Sequence, residues 1–91
     1  MEKALWYLIA GTRGGENRVR IIRRLAERPR NANQLATDLD VDYNTIRHHL
    51  DLLVDHGVIE KGGEDYGALY FLTDRFEDHW DAFEEITGAM E

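Results

Sequence analysis

The sequence predicts a mainly helical fold with one small β-hairpin, and three observations predict it. Up to residue 56 the apolar residues recur every three or four positions, cut into short segments by the glycines at 11, 14 and 15, Pro29 and Gly57. Two β-prone runs follow, Val58-Ile59-Glu60-Lys61 and Leu69-Tyr70-Phe71-Leu72, joined by Gly62-Gly63-Glu64-Asp65-Tyr66-Gly67. Helical spacing then returns with Phe76, Trp80, Phe83 and Ile86 or Thr87. Ninety-one residues fall short of a typical domain of roughly 100 to 200, so residues 1–91 are expected to form one domain. With 43% hydrophobic residues it can bury a modest core.

Each element has a local reason. Residues 1–10 carry Ala4, Leu5, Leu8 and Ile9 at helical spacing and end at the loop Gly11-Thr12-Arg13-Gly14-Gly15. Residues 16–28 follow, with Val19, Ile22, Leu25 and Ala26 apolar and Pro29 forcing the stop. Asn31-Ala32-Asn33-Gln34 has the form of a capping box, which predicts a helix over 32–39. Asp42 is an N-cap for a helix over 43–56, with Ile46, Leu50 and Leu53 on one face and Gly57 at the left-handed position that closes it. After the hairpin, Thr73 or Asp74 caps a last helix over about 74–88.

The most specific pattern is Leu35-Ala36-x-x-Leu39-x-Val41-x-x-x-x-Ile46-x-x-x-Leu50. Two helices meeting steeply over a three-residue turn need a small residue at their approach, here Ala36, and apolar anchors before, inside and after the turn. Residues 32–56 therefore read as a helix-turn-helix. A plain helical hairpin uses the same spacing, but a bundle continues with helices, whereas here a two-stranded wing follows over 58–72. The fold class is a winged helix-turn-helix, in which the helix over 43–56 would enter the major groove of duplex DNA.

On that helix Asn44, Arg47, His48, Asp51 and Asp55 fall opposite Ile46, Leu50 and Leu53, with Thr45 beside them. Only the first turns reach base edges. Asn44 suits adenine and Arg47 suits guanine, with Thr45 and His48 as base or phosphate contacts; for Asn44 and Thr45 the alternative is ordinary first-turn chemistry. Asn33 and Gln34 stand where a helix start offers amides to a phosphate. Arg13 and Arg18 flank the glycine loop and would hold another. Arg20, Arg23, Arg24 and Arg28 read equally well as a solvated face, with Glu16 and Arg20 as an i, i+4 pair. On the wing, Lys61 and Tyr66 are the DNA-contact candidates; the tip residues Glu64 and Asp65 are acidic where a minor-groove wing usually presents cations.

Charge separates the two parts of the chain. Residues 1–30 hold eight basic residues against Glu2, Glu16 and Glu27, a net of +5; residues 31–91 hold Arg47, Lys61 and Arg75 against fifteen acids, a net of -12. Seven acids and only Arg75 fall in residues 74–91, so the last helix has an acidic face opposite Phe76, Trp80 and Phe83. Aromatics so placed are core or interface. Pairing them with Leu5 and Leu8 of a second subunit predicts a dimer interface made by the N- and C-terminal helices; packing within one chain is the alternative. Two-fold symmetry would set two reading helices about 34 Å apart on a pseudo-palindromic operator.

Other classes find little support. Zero cysteines exclude disulfides and thiolate metal sites, and His48, His49 and His56 lack the i, i+4 spacing that clamps a metal. No nucleophile motif or phosphate loop suggests an enzyme, and no cofactor is expected. The longest apolar run, residues 4–10, is far short of the roughly 20 a membrane span needs, so a cytoplasmic protein without membrane partners is expected.

Four stretches carry a family resemblance: Gly11-Thr12-Arg13-Gly14-Gly15, Pro29-Arg30-Asn31-Ala32-Asn33-Gln34-Leu35-Ala36, Asp42-Tyr43-Asn44-Thr45-Ile46-Arg47-His48-His49-Leu50 and Tyr66-Gly67-Ala68-Leu69-Tyr70. They make residues 11–73 similar to archaeal, especially haloarchaeal, ArsR-like winged helix-turn-helix transcription regulators. The resemblance implies a homodimer on operator DNA. It departs in the acidic wing tip and in the absent cysteines, so metal sensing does not carry over. The runner-up function is a winged helix used as a protein-interaction module, which the acidic surface would suit.

Nine of the eleven basic residues are Arg, the net charge is -7, and cysteine is absent. That composition fits a protein kept hydrated in molar salt. Six phosphate contacts would give a salt slope near -5, so moving from ~0.1 M to ~3 M salt would remove about eight decades of affinity. Binding there must rest on base-edge hydrogen bonds, shape and avidity, with the +5 third as the only broad basic surface. Salt adaptation predicts that dilution to low salt erases the helical circular-dichroism signal; full helicity at low salt would refute it.

Overall fold

The computed structural model describes residues 1–63 and 68–90. It is mostly helical with a two-stranded antiparallel hairpin, in the order expected of a winged helix-turn-helix. α1 (Glu2–Leu5) runs on into a π-helical turn (Trp6–Ala10); then come α2 (Gly15–Glu27), α3 (Ala32–Leu39), α4 (Tyr43–Asp55), β1 (Ile59–Gly62), β2 (Leu69–Leu72), α5 (Asp74–Glu77) and α6 (Trp80–Met90). No helix among the described residues is long and apolar enough to cross a membrane.

The caps act where the sequence puts them. The Asn31 side chain accepts from the Gln34 amide at 2.8 Å and the Gln34 side chain accepts from the Asn31 amide at 2.9 Å, closing the capping box. Between α3 and α4, the Val41 amide donates to the Ala36 carbonyl (3.0 Å) and the Asp40 amide to that of Thr37 (3.3 Å), with Asp40 left-handed at φ 55°. This is a Schellman closure with Asp in the place usually held by Gly. Its short turn swings α4 across α3. The same closure recurs at the end of α4, where Gly57 has φ 75° and Val58 bonds back to Leu53.

One core joins all the layers: Leu5, Leu8 and Ile9, the inner faces of α2, α3 and α4, Val58 and Ile59 of the wing, and Phe76, Phe83 and Ile86. β1 and β2 pair with Ile59 opposite Leu72 and Lys61 opposite Tyr70. The outer edge of β2 is not bare, because Arg30 bridges Tyr70 through two backbone hydrogen bonds of 3.2 and 2.8 Å. The wing is thereby fastened to the residue just before the α3 cap.

Two expectations change. The last helix is not continuous over 74–88: it breaks at residues 78–79, where the His79 amide bonds to the Phe76 carbonyl at 2.8 Å in a tighter turn. The break lets Phe76, Trp80 and Phe83 cluster, with ring centroids 4.9 to 5.8 Å apart. Secondly, Leu5, Leu8, Phe76 and Phe83 are fully buried within the chain and Trp80 packs partly against the same core. The terminal helices thus satisfy one another intramolecularly, and these apolar residues are core rather than an open subunit face.

The N-terminal helix and α2 meet through glycine. A Cβ on Gly15 would lie 1.7 Å from the Ile9 carbonyl oxygen, whereas one on Gly88 meets nothing within 4 Å. Gly15→Ala should therefore destabilise the fold by about 3 kcal/mol or more. Gly88→Ala should stabilise it by up to about 1 kcal/mol through helix propensity. Thermal unfolding of the two variants measures both, and equal midpoints would contradict the close approach.

Candidate nucleic-acid interface

α4 presents its first turns because Asp42 stops the chain there. The Asp42 carboxylate accepts from the Asn44 and Thr45 amides at 2.9 and 3.3 Å, so first-turn capping falls to Asp42 and leaves the side chains of Asn44 and Thr45 exposed. Ile46, His49, Leu50 and Leu53 turn inward, while His48 stays exposed. Arg47 is steadied by its neighbour one turn back: its Nη1 donates to the Tyr43 hydroxyl at 3.2 Å, and its guanidinium lies 6.0 Å from the Tyr43 ring centroid. The hydrogen bond it donates to Tyr43 is the main reason its pKa is raised.

Beside Arg47 the start of α3, the first turn of α4 and the wing enclose a concavity of about 140 Å³. Asn33, Arg47 and Lys61, drawn from three elements, meet there with Tyr43 and Tyr70. Sequence reasoning passed over both tyrosines. Tyr43 had a usable signal, four residues before an arginine on a helix. Tyr70 had none, since its position depends on the Arg30 bridge. Gln34 is exposed at the same helix start, but its side-chain oxygen is already committed to the cap. Tyr66, Glu64 and Asp65 lie outside the described residues. Farther along α4, Asp51 and Asp55 line a second hollow with Arg47 and Lys61, so the charge turns acidic after the second turn.

Arg18 does not join this surface. It is only 2% exposed. Its Nε donates to the Leu8 carbonyl (2.7 Å), Nη2 to the Arg13 carbonyl (2.9 Å) and to the Thr12 hydroxyl, and Nη1 to His49 Nδ1 (3.0 Å). The expectation that Arg18 holds a phosphate is corrected: its donors are turned inward to fix the glycine loop. Arg13 remains exposed at that loop and lends Arg18 only its carbonyl. A guanidinium has no acceptor, so His49 is the neutral tautomer protonated at Nε2. The same contact sets His49 beside the glycine loop, where a Cβ on Gly14 would come within 2.6 Å of its ring.

The other arginines of residues 1–30 also differ from expectation. Arg20 donates to the Leu39 carbonyl at 2.8 Å and to Asn17, rather than pairing with Glu16. Arg23 bridges Glu84 at 3.1 Å and lies over the Phe83 ring. Arg30, buried, lies 3.1 Å from Glu27 and 3.2 Å from Asp38. The +5 segment is therefore no broad basic surface; much of its charge braces α2 against its neighbours.

Residues 16–62, from α2 to the end of β1, match a family described as a helix-turn-helix domain. Among solved structures, the crystal structure of Rv0081 of M. tuberculosis is similar, with a TM-score of 0.70 at 18% identity, over 97% of this chain and 87% of that one. At that identity the likeness is one of fold. No protein of curated function matches the sequence.

Burial, then the Arg18 and His48 charges, hold the His49 pKa below its ordinary 6.5. The folded state thus binds fewer protons at this site than the unfolded chain. Stability from His49 is complete above pH 6.5 and declines as pH falls from there to the lowered folded value. Unfolding midpoints should drop over that window in the wild type and drop less in His49→Gln; parallel profiles would show that the contact is not proton-linked.

Proposed function

This chain belongs to that helix-turn-helix domain family, and from it we propose a sequence-specific, DNA-binding transcription regulator of ArsR-like type, in which residues 1–91 act as one winged helix-turn-helix domain. The observation that carries the reading is the convergence of Asn33, Arg47 and Lys61 at the exposed start of α4. Asn44 and Arg47 read base edges in the major groove, Thr45 and His48 contact bases or phosphates beside them, and Asn33 and Gln34 lie toward the backbone. Lys61 reaches the flanking strand, Tyr66 is a further contact candidate, and Arg13 meets the backbone from the glycine loop. The acidity of Asp51 and Asp55 confines contact to the first two turns.

One such unit reads only half a site, so the protein acts as a homodimer on a pseudo-palindromic operator. With Leu5, Leu8, Phe76 and Phe83 buried in the protomer, the second copy meets Trp6 and Tyr7, exposed at 41% and 53% on the π-helical turn. The acidic, Arg-rich composition suits a cytoplasm of high salt, such as that of halophilic archaea, where few phosphate contacts suffice if bases are read directly.

Selection of bound genomic fragments followed by gel shift tests the reading. Arg47→Ala should weaken the selected site by about 10- to 150-fold while leaving non-operator binding nearly unchanged. Absence of any preferred fragment at molar salt, together with capture of one stoichiometric protein partner, would replace it with the interaction-module reading.

A further inference from the structure

We propose that Tyr43 is a positioning residue for base recognition: it holds the Arg47 guanidinium in one orientation before DNA arrives, and so sets how strongly Arg47 prefers guanine. This role rests on the regulator reading of the same face and deepens it. A long side chain on a helix surface samples many rotamers, and ordering it on binding lowers affinity by about 2- to 12-fold. Arg47 is restrained at two points beforehand. Its Nη1 donates to the Tyr43 hydroxyl at 3.2 Å, and its Nε is buried. A guanidinium is rigid and planar, so two fixed nitrogens set its plane and the direction of the third, Nη2.

The buried Nε has no hydrogen-bond partner among the described residues. Such orphaned donors are uncommon, and a freely turning arginine would relieve this one by swinging out to water. Something therefore holds the side chain in, and among the described residues the Tyr43 hydroxyl is its hydrogen-bond partner. The geometry of the hold is local. Tyr43 opens α4 directly after the Asp42 cap and lies one turn before Arg47, so the two share a face, and both line the concavity between α3 and the wing. The choice of a phenol matters as well. A carboxylate could fix the guanidinium equally well, but it would neutralise the charge and compete with the base. Asp51 lies one turn beyond Arg47, yet no ion pair joins them. Tyr43 holds without neutralising, and because Nη1 carries two hydrogens it can present one of them beside Nη2 while keeping the bond to Tyr43. That end-on pair matches the two acceptors of guanine, O6 and N7, whereas adenine offers one acceptor and one donor. A loose Arg47 would meet guanine only after being ordered, and would turn as readily to a phosphate. Tyr43 thus sharpens discrimination and adds little general attraction.

A double-mutant cycle on the full chain tests this, using wild type, Tyr43→Phe, Arg47→Ala and the double variant. Tyr43→Phe keeps the ring, which is 40% exposed, and deletes only the hydroxyl. Affinities are measured for the selected operator, for the same operator with each guanine changed singly to adenine, and for non-operator DNA. A second measurement needs no DNA: the mobility and solvent exchange of the Arg47 Nε–H by nuclear magnetic resonance.

At the guanine read by Arg47, Tyr43→Phe should reduce the preference over adenine by about five-fold while non-operator affinity stays within two-fold. In the Arg47→Ala background the same substitution should change operator affinity less than two-fold. The Arg47 Nε–H should be rigid and slow to exchange in the wild type, and mobile and faster to exchange in Tyr43→Phe. An equal loss from Tyr43→Phe in both backgrounds would make Tyr43 a DNA contact in its own right and overturn the positioning role, as would an Arg47 Nε–H equally rigid with and without the hydroxyl; specific operator binding in either case leaves the regulator reading intact. A Tyr43-dependent Arg47 resonance with no preferred DNA fragment overturns the regulator reading, and the base-reading role with it, while the hold itself stands.

Discussion

A buried guanidinium without a carboxylate partner among the described residues organises this molecule. Arg18 is held by the Leu8 and Arg13 carbonyls, the Thr12 hydroxyl and a neutral histidine, all of them uncharged acceptors. Removing a cation from water is expensive unless its donors are matched, and four hydrogen bonds in fixed directions provide the match. Those directions are also the fold's geometry. The N-terminal helix, the glycine loop, α2 and α4 all meet at one side chain, so the pose of α4 depends on a loop far from its exposed face. Gly14 and Gly15 are part of the same device: a Cβ on either would strike His49 or the Ile9 carbonyl.

From that anchor outward, each layer positions the next. α2 carries arginines that reach in three directions, to the Leu39 carbonyl at the end of α3, to Glu84 of α6, and through Arg18 to α4. Arg30 continues the pattern by joining α2's end, Asp38 of α3 and the backbone of β2. In a chain with few lysines, arginine serves as a brace because its planar fork makes several directed bonds at once. The exposed start of α4 and the wing are thus set in register by side chains that never touch the interface.

A candidate interface with few cations follows from the same allocation. Arg47 and Lys61 share a concavity with the start of α3, while Asp51 and Asp55 limit the charge beyond them. On the proposed reading such a face would gain little from counterion release and would depend instead on directed hydrogen bonds and shape.

The sequence by itself determined what depends on neighbours along the chain. The Asn31 and Gln34 capping box, Asp42 and Thr73 as caps, Gly57 at the end of α4 and the hairpin runs were legible because capping, turns and amphipathic spacing involve residues within a few positions. The inward face of α4 and the exposure of Asn44, Thr45 and His48 followed from periodicity alone. What only the tertiary structure decided is where long side chains go. Arg18 and Arg13 look alike in sequence, yet one is buried and the other exposed, because only Arg18 sits one turn into α2 facing His49, 31 residues away. Phe76 and Phe83 could have served an interface; packing against the N-terminal helix made them core. Tyr70 became part of the candidate site through a bridge to Arg30, a contact between residues forty apart that no local pattern encodes.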